Sequence, residues 1–167
     1  MRVYVPVTLS MLRRLVDEGE LFPVGGKAFA LTPALRESYA AGGTDELEYA
    51  AMLDAARASL RLLAAELIVD PKTPPRRAVV SADVDGARLR PDLDDAVVEF
   101  EGPLLIGQVA AVHVDTEGAQ DAVLSAVELV DAADLGDPDA EFVMGGAEDH
   151  ELAWYAPQEV PFLLDLM

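Results

Sequence analysis

The chain has 167 residues, of which 51% are hydrophobic and none is cysteine. That supplies apolar material for a core of one domain's size and excludes disulfides, thiolate nucleophiles, cysteine-ligated zinc and iron–sulfur centres. Thirty-one acidic residues against twelve basic ones give a net charge of −19, which excludes nucleic acid as a direct electrostatic partner, because that mode needs Lys and Arg to displace phosphate counterions.

Residues 2–7 alternate with β-branched side chains and predict a strand. Thr8 is placed to cap a helix over 9–18, with Leu12, Leu15 and Val16 as its inner stripe and Gly19 to close it. After a turn at Pro23 and Gly25–Gly26, residues 27–31 predict a second short strand. Thr32 followed by Pro33 joins a capping hydroxyl to a pre-set φ and starts a helical turn that runs to residue 40. The strongest pattern is TDELEYAAMLDAARASLRLLAAEL, in which Tyr49, Leu53, Ala56, Leu60, Leu63 and Leu67 recur at alternating spacings of four and three. It predicts one long helix over 45–67, with Asp45 and Glu46 at the positive end of its dipole and Asp54, Arg57 and Arg61 opposite the stripe.

PKTPPRR reads as a stiff, extended crossover. It leads into a buried strand over 77–82, a turn-rich stretch over 83–95, and strands over 96–100 and 109–114. Residues 117–131 predict an amphipathic helix with Ala119, Val123, Ala126, Val127 and Val130 inward. DLGDPD is a turn, and residues 142–144 and 152–156 predict a hairpin around GGAEDH, with a helix through 147–153 as the alternative. A short helix over 157–167 ends the chain, with Trp154 and Phe162 expected to pack it on the sheet. The other reading of these two rings is an exposed aromatic anchor among acids. The order of elements predicts an α/β fold, with α+β as the alternative: a single domain over 1–167, with a mixed open sheet of five or six strands and helices packed on it.

Charge is segregated along the chain. Every Lys and Arg lies in residues 1–90, balanced there by twelve acids, whereas residues 91–167 hold nineteen acids and no Lys or Arg. Like charges at that density favour folding of the second half onto the first, and Arg57, Arg61, Arg76 and Arg77 are the expected receivers. No apolar run reaches the length of a membrane span, and the N-terminus lacks the features of a signal peptide. A cytoplasmic protein with no membrane partner is the expectation.

Elimination narrows the chemistry further. There is no G-x-S-x-G elbow, no complete phosphate loop around Gly25-Gly26-Lys27 and no G-x-G-x-x-G, so no cofactor is expected. What remains is carboxylates and two histidines. His113 and Asp115 form H-x-D at the end of a strand, and His150 and Glu151 belong to an EDHE cluster; these four are the catalytic candidates. Asp83, Asp85 and Asp149 are the metal-ligand candidates, converging with His113 and Asp115 if the strands ending at 82 and 114 are parallel neighbours. The plainer reading makes His113 a packed strand residue, the EDHE acids a solvated cap, and Asp83 and Asp85 turn formers beside Gly86.

TDELEYAAMLDAARASLRLL, GAEDHELAWYAPQEVPFLL, RVYVPVTLSMLRRLV and VDAADLGDPDAEF together cover most of the chain. They resemble an uncharacterised family of small acidic hypothetical proteins from actinobacterial genomes. The resemblance implies a bacterial protein and supplies no activity and no functional residues. The residues themselves favour a non-enzymatic acidic interaction or regulatory module that docks a basic protein partner. The alternative is a carboxylate–histidine metal-binding protein or hydrolase-type enzyme, and a homo-oligomer through a sheet edge or the long helix is a third option.

Overall fold

A computed structural model describes all 167 residues. In chain order the elements are β1 (Arg2–Val7), α1 (Leu9–Glu18), β2 (Glu20–Leu21), β3 (Lys27–Phe29), α2 (Pro33–Ser38), α3 (Thr44–Val69), β4 (Ala78–Asp83), β5 (Arg88–Leu89), β6 (Val97–Glu99), β7 (Leu104–Leu105), β8 (Val109–Val114), α4 (Gln120–Val127), α5 (Val130–Asp134), α6 (Pro138–Glu148), β9 (Ala153–Tyr155) and α7 (Val160–Asp165). Seven strands form one sheet in the order β5-β6-β3-β1-β4-β8-β9, and β2 pairs with β7 apart from it. Every pairing is antiparallel.

The sheet therefore differs from the mixed one of five or six strands expected from the sequence. The strand of that sheet not expected is β5, which at two residues is too short to display a period and falls inside the stretch read as turns. Strand direction, moreover, follows from how connections run and not from side-chain alternation. The expected hairpin over 142–156 is also replaced. Asp137 Oδ1 accepts from the backbone N–H of Asp139 (2.9 Å) and Ala140 (3.3 Å), Pro138 follows the cap, and Ala140, Met144 and Ala147 form the buried stripe of α6. Only the 153–155 half survives as a strand. The helix expected over 117–131 breaks after Val127 into α4 and α5.

One face of the sheet, formed by Val3, Val5, Val7, Val80, Val112 and Val114, is covered by α1 through Leu9, Leu12 and Leu15 and by α7 through Val160 and Leu164. The opposite face, with Tyr4 and Val79, receives α3 through Ala51, Met52, Ala55 and Ala56. Small residues there let the helix approach the strands closely. Leu60 and Leu63, further along α3, pack instead against Val123, Val130 and Met144 of α4–α6. α3 thus lies between the sheet and a helical layer with only its inner face buried, and Tyr49, at the head of the predicted stripe, is left 42% exposed.

Polar ties fix these layers. Ser59 is buried in mid-α3, where its hydroxyl donates to the Val7 carbonyl (2.7 Å) and accepts from the Ala78 N–H (3.0 Å), joining the end of β1 to the start of β4. Glu66 accepts from Thr8 and Ser10, both at 2.6 Å, locking the capped start of α1 to α3. The deepest tie is ionic. Arg77 and Asp115 are 2% and 0% exposed and meet through Nε–Oδ2 and Nη2–Oδ1 contacts of 2.8 Å. The Arg77 backbone N–H also donates to Oδ2 (2.8 Å), and Nη2 donates to the carbonyls of Ala147 and His150 (3.0 Å each).

Removing one member of such a pair strands the other charge in a dry interior, at a cost of about 3–5 kcal/mol. Asp115→Asn should therefore lower unfolding free energy in urea by about that amount, and the double variant Arg77→Met/Asp115→Leu should recover part of it. A single-variant loss below about 1 kcal/mol would mean that the pair is not a structural tie.

Candidate functional site

The structure separates the residues that the sequence grouped. β4 and β8 are neighbours, but Ala78 lies opposite Val114 and Ala82 opposite Val109. Asp83 therefore stands at the other end of the strand pair from Asp115, and the expected convergence with His113 and Asp115 does not form. Asp83 pairs with Arg2 at 2.9 Å, which holds its carboxyl below the ordinary range. Asp85 lines a polar depression of about 330 Å³ with Gly86, Arg88 and Glu101. Both carboxylate oxygens of Asp115 are occupied by Arg77. His150 contributes its carbonyl to the same arginine, while Asp149 and Glu151 are exposed at the end of α6 and just beyond it. No group of three or more His, Asp or Glu side chains is placed to hold a metal ion.

His113 does find a partner. Its Nε2 lies 2.8 Å from the hydroxyl of buried Ser81. Burial, with the charge of Arg2 added, lowers the imidazole below its ordinary pKa, so the ring is neutral at pH 7. It opens onto a cleft of about 200 Å³ shared with Tyr4, Asp45, Glu48, Tyr49 and Met52. Tyr4 donates to Glu48 (3.2 Å), and burial beside that carboxylate pushes the phenol up to about 12.

A larger polar cleft of about 410 Å³ lies on the other flank of α3, lined by Phe29, Asp54, Arg57, Arg61, Asp94, Ala133, Asp134 and Glu141. Here the two halves of the charge distribution meet. Arg57 Nη2 lies 3.0 Å from both Asp134 and Glu141, and Arg61 Nε lies 2.7 Å from Asp134. Arg61 and then Arg57 hold Asp134 below the ordinary carboxylate range. Asp54 has no arginine of its own in hydrogen-bond contact; it opens into the cleft while surrounding protein crowds it. That desolvation, with repulsion from Asp94, pushes its carboxyl up to about 6. Asp54 is the cleft's proton-exchanging group near neutral pH.

The sequence placed Asp54, Arg57 and Arg61 on one side of α3 but gave them no role, and it missed Asp94, Ser81, Tyr4, Glu48 and Tyr49. A signal existed for the smaller cleft: Asp45, Glu48, Tyr49 and Met52 follow the i, i+3, i+4, i+7 spacing of one helix face.

Residues 1–164 match a family described as a family of unknown function (DUF6912). The chain belongs to that family. No curated protein and no solved structure matches this DUF6912 chain. No helix of the DUF6912 fold is long and apolar enough to cross a membrane.

The Asp54 carboxyl titrates at about 6 in the fold against 3.8 for an ordinary aspartate. The folded state therefore holds the proton more tightly, and this group's contribution to stability falls as pH rises through that window. Asp54→Asn should raise stability at pH 7 by about 1–2 kcal/mol, a figure reduced from the full shift because cleft water screens the charge. The gain should shrink to a few tenths of a kcal/mol near pH ~3.5, where the folded state is protonated and the unfolded state mostly so. Thermal melts of the two proteins at the two pH values test this, and an equal difference at both would remove the carboxyl's titration as the cause.

Proposed function

We propose that this chain is a single-domain, cytoplasmic bacterial protein that acts as an acidic docking module for a basic protein partner, in an interaction or regulatory role. The supporting observation is what the fold leaves unneutralised. Of the nineteen acids in residues 91–167, only Asp92, Glu99, Asp115, Asp134, Glu141 and Glu148 have an Arg within 4 Å. The other thirteen are exposed. Residues 117–149, the layer built on the outside of α3, carry ten acids and no Lys or Arg.

Large apolar side chains stand exposed in the same half: Leu135, Phe142, Trp154 and Phe162. The expected packing of Trp154 and Phe162 inside the core is not found, because β9 is an edge strand and α7 turns Val160 and Leu164, not Phe162, toward the sheet. Exposed rings among acids combine desolvation energy with long-range attraction, the composition of a protein-binding surface.

The test compares two variants. One neutralises Asp121, Glu128, Asp131 and Asp139 as amides, and the other neutralises Asp17, Glu18, Glu20 and Glu37. Immobilised wild-type protein should retain a basic protein from cell extract at about 50 mM salt and release it at about 500 mM, where screening shortens electrostatic reach. The first variant should lose that protein and the second keep it. No salt-sensitive retention, or equal behaviour of the two variants, would overturn the reading.

A further inference from the structure

The smaller cleft has a chemistry that a sheet surface does not need for stability. Its wall is the first two turns of α3, which bring Asp45, Glu48, Tyr49 and Met52 over the sheet, and its floor holds Tyr4 of β1 and His113 of β8. No Lys or Arg lines it. Trp154 is the direct cross-strand partner of His113, so it projects from the same face, and it is 61% exposed. Burial, with the charge of nearby Glu151 added, holds the Tyr49 phenol above its ordinary pKa. Neutral aromatic rings are thus ringed by carboxylates.

Aromatic faces attract cations, most strongly where an organic cation sheds part of its water, and carboxylates at the rim add charge. The volume of about 200 Å³ is below the roughly 300–1,000 Å³ that encloses a whole small-molecule ligand. It suits one flexible side chain. Glu48 already accepts from Tyr4 through Oε2, which leaves Oε1 and the nearby Asp45 carboxylate to meet a compact ammonium. His113 has its Nε2 occupied by Ser81 and brings no competing positive charge at neutral pH.

We propose that the cleft formed by Tyr4, Asp45, Glu48, Tyr49 and His113, with Trp154 at its edge, binds the alkylammonium of a lysine side chain. This rests on the basic-partner reading above and names the group that such a partner inserts.

Trp154 is the chain's one tryptophan, so its emission reports on this edge of the cleft alone. Intact protein is titrated with Nα-acetyl-lysine amide, and with Nα-acetyl-norleucine amide as the uncharged match, while fluorescence and backbone ¹H–¹⁵N shifts are followed. The lysine derivative should move Trp154 emission and the amides of Glu48, Tyr49, His113 and Trp154, and the norleucine derivative should not. Tyr49→Ala and Glu48→Gln should each weaken the response about three- to fivefold, and Tyr49→Phe, which keeps the ring, should restore it. Equal response to both derivatives, or shifts spread over the acids of 117–149 with no effect of the cleft variants, would overturn the lysine site. Salt-sensitive partner capture by those same cleft variants at wild-type strength would do so while leaving the acidic docking surface standing. Absence of capture by wild-type protein alongside a localised lysine response would instead keep the site and sink the docking reading.

Discussion

The buried pair of Arg77 and Asp115 is the constraint from which the rest of the architecture follows. Arg77 lies just ahead of β4 and Asp115 just beyond β8, so one contact ties these two neighbouring strands together at their shared end. The same guanidinium reaches the carbonyls of Ala147 and His150, which fixes where α6 stops and where the chain turns back toward β9. A charge in a dry interior has few acceptable geometries. The buried hydrogen bonds of Ser59 and Ser81 involve neutral hydroxyls, whereas this contact must also compensate two buried charges. The smaller cleft is anchored beside the same contact, because His113 precedes Asp115 by two residues, near the end of β8.

Around this tie, the fold neutralises the acidic half of the chain selectively. Arg57 and Arg61 capture Asp134, Glu141 and, at 3.9 Å, Glu148, which is enough to seat α5 and α6 against α3. These pairs are partly exposed and each contributes on the order of ~1 kcal/mol or less, so the apolar contact of Leu60 and Leu63 with Val123, Val130 and Met144 supplies most of the adhesion. The arginines decide which way round the layer sits, and the acids they do not reach are left facing water.

How much of this the sequence made legible depended on whether the cause was local. Thr8 and Thr32 are caps in the structure, each accepting a backbone N–H three residues on, because capping is decided within one turn. The long helix was legible because its apolar repeat persists for six turns' worth of residues, and it runs from Thr44 to Val69. Arg57, Arg61 and Arg77 were legible as receivers from charge balance alone, whereas Arg76, expected with them, meets no carboxylate and donates to the Asp115 backbone carbonyl. Asp83 and His113 were misjudged because pairing direction is a non-local property, which turned an expected cluster into opposite ends of one strand pair. α6 was misjudged because Gly145 and Gly146 reduce helical propensity, while Asp137-Pro138 and the stripe of Ala140, Met144 and Ala147 outweigh them. The smaller cleft joins residues 4, 48, 113 and 154, and no window of sequence contains them together.

The reach of Arg77 has a consequence for biosynthesis. Its partners lie 38, 70 and 73 positions downstream, so a nascent chain that has emerged through α3 and β4 carries a guanidinium destined for the interior with nothing to meet it. The N-terminal strands can begin to assemble on the ribosome, but β8 and then α6 must arrive before that charge is covered, and β9 attaches last at the sheet's edge. Maturation of this molecule is therefore timed by its final third, and a chain truncated just before residue 147 keeps the ionic contact with Asp115 but leaves the guanidinium without its two carbonyl acceptors.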